Sequence, residues 1–416
     1  MQKLYITGGQ PLKGTVRVSG AKNAALAIIS AALLASEPVY LENIPRITDV
    51  EILLDIIANL GIRVEWKGPN SVEIVTPDAI TTKTPYKEVK KLRASNLLLG
   101  PLLTRFGKAE IALPGGCNIG SRPMDLHIKG LNALGARLTL EHGFIKGTCS
   151  RLKGAKIYLD FPSVGATENI VTAATLADGQ TILENVAKEP EIVDLANFLN
   201  SLGAKIRGAG TDVIKIEGVD QLGGGRYSVI SDRIEAGTFM VAAAATKGDL
   251  TIEHIIPTHI EPLIAKLREA NLEVSEEDDR VRVVYRDAFK PIDIKTLPYP
   301  GFPTDMQSQV MAMLTMVKGT SVVVENVFEN RLQVADEFKR MGARIKVEGR
   351  SAIIQGVIRL QGAQVKASDL RAGAALIIAG LIAEGETEIC NTNYIDRGYQ
   401  NIEEKMRSVG ALISRR

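Results

Sequence analysis

A five-residue phrase recurs along the chain and constrains its fold more than any other feature. It reads Asn-Leu-Gly-Ile-Arg at 59–63, Ala-Leu-Gly-Ala-Arg at 133–137, Ser-Leu-Gly-Ala-Lys at 201–205, Arg-Met-Gly-Ala-Arg at 340–344 and Ser-Val-Gly-Ala-Leu at 408–412. The glycines Gly61, Gly135, Gly203, Gly342 and Gly410 lie 74, 68, 139 and 68 residues apart, and the long interval is about twice the others. A sixth copy therefore belongs near residue 271, where the chain reads Ala270-Asn271-Leu272-Glu273. Asparagine is the residue that most readily replaces glycine in the left-handed conformation that ends a helix. The count is then six units of about 70 residues.

Every unit also holds an Ala-rich stretch, at 21–35, 92–105, 165–177, 234–246, 305–317 and 369–383. These stretches are apolar on several faces, which predicts buried helices. Each is followed by an alternating segment such as Thr181-Ile182-Leu183-Glu184, the period of a half-buried strand. A more polar helix comes next, stopped by the Leu-Gly phrase, and then a further strand. Six such units exceed one core, and three per domain is the economical division of 416 residues. The expected fold class is α/β, with two similar domains of three repeats each and buried helices surrounded by sheet and outer helices. A solenoid is the competing arrangement, although 70 residues exceeds the usual solenoid period of about 20–50.

Composition excludes several function classes. With 45% apolar and 24% charged residues the chain can bury a sizeable core. A formal charge of +2, 5% aromatic residues and the single Trp66 argue against a nucleic-acid binder, which needs a basic stripe with interleaved aromatics. The first nine residues lack the charged-then-apolar layout of a signal peptide. The longest apolar run, 24–35, is broken by Ser30 and too short to span a bilayer, so no membrane partner is expected. Cys117, Cys149 and Cys390 form no disulfide framework, which places the protein in a reducing, cytoplasmic setting. Four scattered histidines, no Cys-x-x-Cys, no Gly-x-Gly-x-x-Gly after the first strand and no Walker lysine leave neither a metal nor a cofactor to expect.

Candidate chemistry gathers at the starts of the Ala-rich helices, where free N–H groups and the helix dipole favour anions. Ser19-Gly20-Ala21-Lys22-Asn23 opens the first, with Gly20 read as letting the backbone approach a ligand. Lys91-Leu92-Arg93, Pro303-Thr304-Asp305-Met306-Gln307 and Ser368-Asp369-Leu370-Arg371 open others. A Gly-rich loop, Pro114-Gly115-Gly116-Cys117-Asn118-Ile119-Gly120-Ser121-Arg122-Pro123-Met124-Asp125-Leu126-His127, sets Cys117 close to Arg122, and a cationic neighbour raises thiol reactivity. Cys149 and Cys390 read instead as buried structural cysteines. Asn393-Tyr394-Ile395-Asp396-Arg397-Gly398-Tyr399 and Phe328-Glu329-Asn330-Arg331 occupy corresponding places in the sixth and fifth units, and arginine forks suit phosphate and carboxylate. Pattern alone stops at an enzyme for phosphorylated, acidic substrates, with Cys117 and an aspartate handling protons.

These segments resemble the UDP-N-acetylglucosamine 1-carboxyvinyltransferases, members of the enolpyruvyl transferase family, in five separated motifs taken in order. The motifs are Ser19 to Asn23, Leu113 to Cys117 with Arg122-Pro123, Pro303 to Gln307, Asp369 to Gly373 and Asp396 to Tyr399; Asn118, Ser121 and Met124 depart from the pattern around the cysteine. The resemblance covers essentially the whole chain. It implies domains of 1–20 with 230–416 and of 21–229, the latter carrying the cysteine loop, which closes over substrates held in a cleft. It implies transfer of the enolpyruvyl group of phosphoenolpyruvate to the 3-hydroxyl of UDP-N-acetylglucosamine, by addition and then elimination of phosphate, in peptidoglycan synthesis.

By the same resemblance, Cys117 would protonate the methylene carbon and Asp305 would take the hydroxyl proton. Lys22, Arg122 and Arg397 would hold the phosphate and Arg371 the neighbouring negative charge. Asn23 would bond the reacting intermediate, and Asp369 would orient Lys22. Arg93, Arg122, Pro123, Met124, Asp125, Leu126, Ser163, Val164, Gly165 and Val327 would contact the UDP-sugar. Two alternatives stay open: a related transferase acting on shikimate 3-phosphate, and a catalytically silent paralogue that binds UDP-sugar.

Overall fold

The structure, a computed structural model, describes residues 2–113, 119–120 and 124–416. The chain forms two compact units. One comprises the described parts of Met1–Ser19, Cys117–Ser121 and Ser231–Arg416, the other those of Gly20–Gly116 and Arg122–Ile230.

In the first unit the inner helices Arg233–Ala245, Gln307–Leu314 and Leu370–Ile382 pack against one another in every pairing. All thirteen residues of Arg233–Ala245 are buried. Alanine makes this arrangement cheap, because it loses no side-chain entropy in a helix and keeps the axes close. Three four-stranded sheets accompany these helices, together with the outer helices Glu261–Glu269, Val334–Arg340 and Ile402–Ser408. The second unit repeats the plan with inner helices Lys22–Ala31, Leu99–Phe106 and Val164–Ala174 and outer helices Thr48–Asn59, Asp125–Ala133 and Pro190–Ser201. The inner helices of each unit share one core, so the repeats are not stacked as a solenoid.

The sheets show how the repeats close on themselves. Each full sheet takes one parallel edge strand, as Lys13–Arg17 runs beside Asp249–Glu253 and Gly225–Ser228 beside Val39–Glu42. The amino-terminal strand Leu4–Thr7 lies antiparallel between Glu386–Cys390 and Leu412–Arg415, so the beginning of the chain completes the last repeat. The second repeat departs from the plan twice. Its sheet has three strands, and the missing parallel edge survives only as a bridge between Lys83 and Glu110, just before Pro85, which has no N–H to continue a ladder. Its Ala-rich stretch begins as a 3₁₀ turn, Arg93–Leu98, and becomes an α-helix only at Leu99. Pro101 accounts for the break, since it cannot donate back to Leu97.

The phrase that set the count adopts one conformation throughout. Gly61, Gly135, Gly203, Gly342 and Gly410 have φ between +94° and +107°, and Asn271 stands at +73° in the same place.

Candidate active site

Asp305 is the best-organised group in the first unit. It lies in the 3₁₀ turn Thr304–Met306, which leads into the inner helix Gln307–Leu314, and its side chain is 24% exposed. Arg371, at the second position of the helix Leu370–Ile382, reaches its Oδ2 with Nε at 3.1 Å and Nη2 at 2.9 Å. Arg331, from the loop before Val334–Arg340, reaches Oδ1 with Nη1 at 2.7 Å. Both guanidiniums are nearly inaccessible, at 3% and 4%. Burial alone would raise the carboxyl's pKa, but the charges of Arg371 and Arg331 and the bonds they donate outweigh it and hold Asp305 well below the usual carboxylate range. Two buried cations around one anion leave a net positive charge, suited to an anionic ligand.

Arg371 is held from behind. Its Nη1 donates to Tyr399 Oη at 3.2 Å. The Thr238 hydroxyl gives its proton to Ile234 O, so at 2.8 Å it accepts from Tyr399. Tyr399 is buried, and burial is the main cause that lifts its pKa. Asp369 caps the helix of Arg371, its Oδ1 accepting from the N–H groups of Arg371 and Ala372 at 2.9 and 3.0 Å. Arg397, two residues before Tyr399, is half-buried; Asp396 beside it takes two bonds from Arg415 at 2.6 and 2.9 Å. Val327 is half-buried on the loop that carries Arg331.

In the second unit Lys22 is the first residue of the helix Lys22–Ala31 and pairs with Asp49 at 2.7 Å, with 12% and 2% of the side chains exposed. Asn23 beside it is exposed. Close backbone packing by itself demands Gly20, since a Cβ there would sit 1.7 Å from Asn43 O.

Arg93, Met124, Asp125, Leu126, Ser163, Val164 and Gly165 are gathered by two residues to which the sequence reading gave no role, His127 and Asn169. Asn169 accepts from Gly100 N at 2.6 Å, and its Nδ2 donates to Asn96 O at 2.8 Å and to His127 Nδ1 at 3.0 Å. Those backbone partners fix the amide's orientation, so Nδ1 must accept and the imidazole proton lies on Nε2. Burial, with the charge of Arg93 second, lowers the His127 pKa to about 4. Gly165 permits the approach of that ring, since a Cβ would stand 3.3 Å from His127 Cε1. Ser163 caps the helix Val164–Ala174, Asn96 Nδ2 contacts Met124 Sδ at 3.2 Å, Leu126 is half-buried, and Asp125 is exposed.

Cys117, Arg122 and Pro123 lie outside the described residues. Next to them, Ile119 is buried and its carbonyl accepts from Asn330 N at 3.1 Å, on the loop of Val327 and Arg331. Cys149 and Cys390 are each half-buried, less enclosed than the buried structural cysteines expected there. Among the described residues no cluster of metal-ligating side chains occurs, and no helix is long and apolar enough to cross a membrane.

Two units of three repeats with buried inner helices make the fold that of the enolpyruvyl transferases. The enolpyruvyl transferase NikO from Streptomyces tendae superposes with a TM-score of 0.89 over 100% of this chain and 98% of its own, at 24% identity. The EPSP synthase of Acinetobacter baumannii gives 0.80 over 100% of both chains, at 21% identity. At those identities the likeness is one of fold. The family model described as EPSP synthase (3-phosphoshikimate 1-carboxyvinyltransferase) matches residues 6–406, and the chain belongs to this family. It is 57% identical over 100% of its length to UDP-N-acetylglucosamine 1-carboxyvinyltransferase 2 of Carboxydothermus hydrogenoformans, covering 99% of that protein. It is 56% identical, with the same coverage, to UDP-N-acetylglucosamine 1-carboxyvinyltransferase 1 of Caldanaerobacter subterraneus subsp. tengcongensis.

Proposed function

We propose that this enzyme transfers the enolpyruvyl group of phosphoenolpyruvate to the 3-hydroxyl of UDP-N-acetylglucosamine and releases phosphate. The observation that carries the reading is identity above one half, over the whole chain, to two transferases named for that acceptor, against 21% for an EPSP synthase. The same comparison disfavours shikimate 3-phosphate as acceptor.

In the addition step the acceptor oxygen bonds to C2 of phosphoenolpyruvate while Cys117 protonates C3 and Asp305 receives the hydroxyl proton. The resulting phospho-ketal then loses a proton from its new methyl group and expels phosphate, restoring the double bond. Asp305 is ionised throughout the working pH range, because Arg371 and Arg331 keep its pKa low. Its pull on a proton is correspondingly weak, so it accepts only as C–O bond formation makes the hydroxyl acidic. Lys22, Arg122 and Arg397 hold the phosphate, and Arg371 neutralises adjacent negative charge. Asn23 bonds the intermediate, Asp369 orients Lys22, and the 122–126 segment, Arg93, Ser163, Val164, Gly165 and Val327 receive the UDP-sugar. The domains of this reading are 1–20 with 230–416 and 21–229.

The test is phosphate release from phosphoenolpyruvate by purified protein with UDP-N-acetylglucosamine, with shikimate 3-phosphate, and with neither. Release with the UDP-sugar alone is expected. Release with shikimate 3-phosphate alone, or with no acceptor preferred, overturns the proposal.

A further inference from the structure

Asp305 is held by two arginines, and the question is what holds Arg331. Its Nη1 bonds Thr304 Oγ1 at 3.0 Å as well as Asp305. Thr304 in turn donates its hydroxyl proton to Glu325 Oε2 at 2.8 Å. A threonine hydroxyl has one proton to give, and here Glu325 takes it, so the oxygen lone pairs face Arg331. Glu325 thereby sets the direction of the Thr304 hydroxyl.

Glu325 also fixes the loop that follows it. Its Oε1 accepts from Val327 N at 2.8 Å, Phe328 N at 3.0 Å and the buried Thr296 hydroxyl at 2.9 Å. Glu325 is 1% exposed, and among the described residues four hydrogen bonds satisfy it with no cation in direct contact. The Phe328 ring, placed by the second of those bonds, lies under the Arg331 guanidinium, with 5.0 Å between Cζ and the ring centroid. Two residues further on, Asn330 N donates to Ile119 O, so the same loop anchors the described end of the cysteine segment. A buried carboxylate is costly. One with this bonding pattern holds Arg331 by two independent routes, the Thr304 hydroxyl and the Phe328 ring.

We propose that Glu325 is a positioning residue for the transfer reaction, acting through Thr304 and the Val327–Phe328 backbone to seat Arg331 on Asp305. The inference rests on the reading of Asp305 as acceptor of the hydroxyl proton. It assigns the Thr304 hydroxyl a defined task, to accept from Arg331 while donating to Glu325. Serine can perform that task and valine cannot.

The experiment compares Thr304→Val, Thr304→Ser and Glu325→Gln with the unmodified enzyme, measuring kcat, KM for both substrates, the pH profile of kcat and thermal stability; Asp305→Asn is included as a control. Thr304→Val preserves shape, so it reports even where Glu325→Gln fails to fold. Thr304→Val is expected to lower kcat by at least about 10-fold with a smaller change in either KM, as loss of a positioning contact does. Its acidic limb is expected to rise toward pH 4, because a slackened Arg331 returns Asp305 toward the ordinary carboxylate range. Thr304→Ser should restore both kcat and the profile. A purely structural hydroxyl would lower thermal stability and leave the profile in place, which overturns the proposal. Equal losses in Thr304→Ser and Thr304→Val, or kcat within about twofold of the unmodified enzyme in Thr304→Val, overturn it as well. Undiminished turnover in Asp305→Asn would instead remove the underlying reading of Asp305.

Discussion

His127 makes the stability of the second unit depend on pH in a calculable way. Its folded pKa is lowered to about 4, chiefly by burial, whereas an unfolded histidine titrates near about 6.5. Above pH 7 it is neutral in both states and costs nothing. As the pH falls below 6.5 the unfolded chain gains a proton that the folded chain refuses, so stability is lost, by about 2 kcal/mol between pH 7 and 5 and about 3 kcal/mol by pH 4. Asp194 works in the opposite sense. Burial raises its carboxyl to about 6, so the folded state takes up that proton first and gains stability on acidification. The wild-type curve therefore mixes both signs, and the informative quantity is its difference from His127→Asn. That variant keeps an acceptor for Asn169 Nδ2 but cannot be protonated. Trp66, the single tryptophan, lies in the same unit under the Arg46 guanidinium at 4.5 Å, and its fluorescence during urea unfolding reports this unit. The wild type should lose about 2 kcal/mol more than His127→Asn between pH 7 and 5. Equal losses, within about 0.5 kcal/mol, would refute the buried neutral imidazole.

Other expectations follow from the same geometry. Cys117→Ala should abolish or severely impair turnover, measured as phosphate release; near-normal turnover removes its role as acid. Asp305→Asn should lower kcat by about 10²–10⁴-fold, the usual contribution of a placed acid or base, and a loss under tenfold in steady-state assays would count against it. Gly20→Ala should cost about 1–3 kcal/mol of unfolding free energy as overpacking against Asn43 O; unchanged stability with a raised KM would return Gly20 to a ligand-binding role. Asn271→Ala should destabilise by about 1–2 kcal/mol, the penalty of a left-handed alanine, whereas Asn271→Gly should not, a contrast read from denaturant midpoints.

Much of the fold was legible because it repeats. Five glycines at one spacing located a sixth position, and Asn271 at φ +73° shows that the signal was a backbone conformation rather than a residue type. The closure of the last sheet by Leu4–Thr7 could not be read from spacing, because its partners lie 379 or more residues away and a four-residue strand carries no address. The break before Leu99, two residues ahead of Pro101, was written in the sequence through that proline, yet the Ala-rich pattern around it argued for a continuous helix.

Site residues divide in the same way. Lys22, Arg93, Asp305, Asp369 and Arg371 stood out because helix starts are local features. Asp49, which pairs with Lys22, looks like any acidic residue in the first turn of an outer helix. Arg331 and Tyr399 lay within quoted motifs but acquire meaning only through Asp305 and Arg371. His127 ended a quoted motif without being given a role and Asn169 gave no signal, since what they do is contact across 42 residues of chain.

The most direct test of the proposed chemistry is turnover of phosphoenolpyruvate and UDP-N-acetylglucosamine in deuterium oxide, with the product examined by proton NMR. Protonation of C3 followed by loss of a proton from the new methyl group places solvent deuterium in the vinyl position of the product, with one phosphate released per enol ether formed. That outcome is the one expected. An enol ether formed with its methylene free of deuterium would contradict the addition and elimination route, and the absence of any enol ether would contradict the function itself.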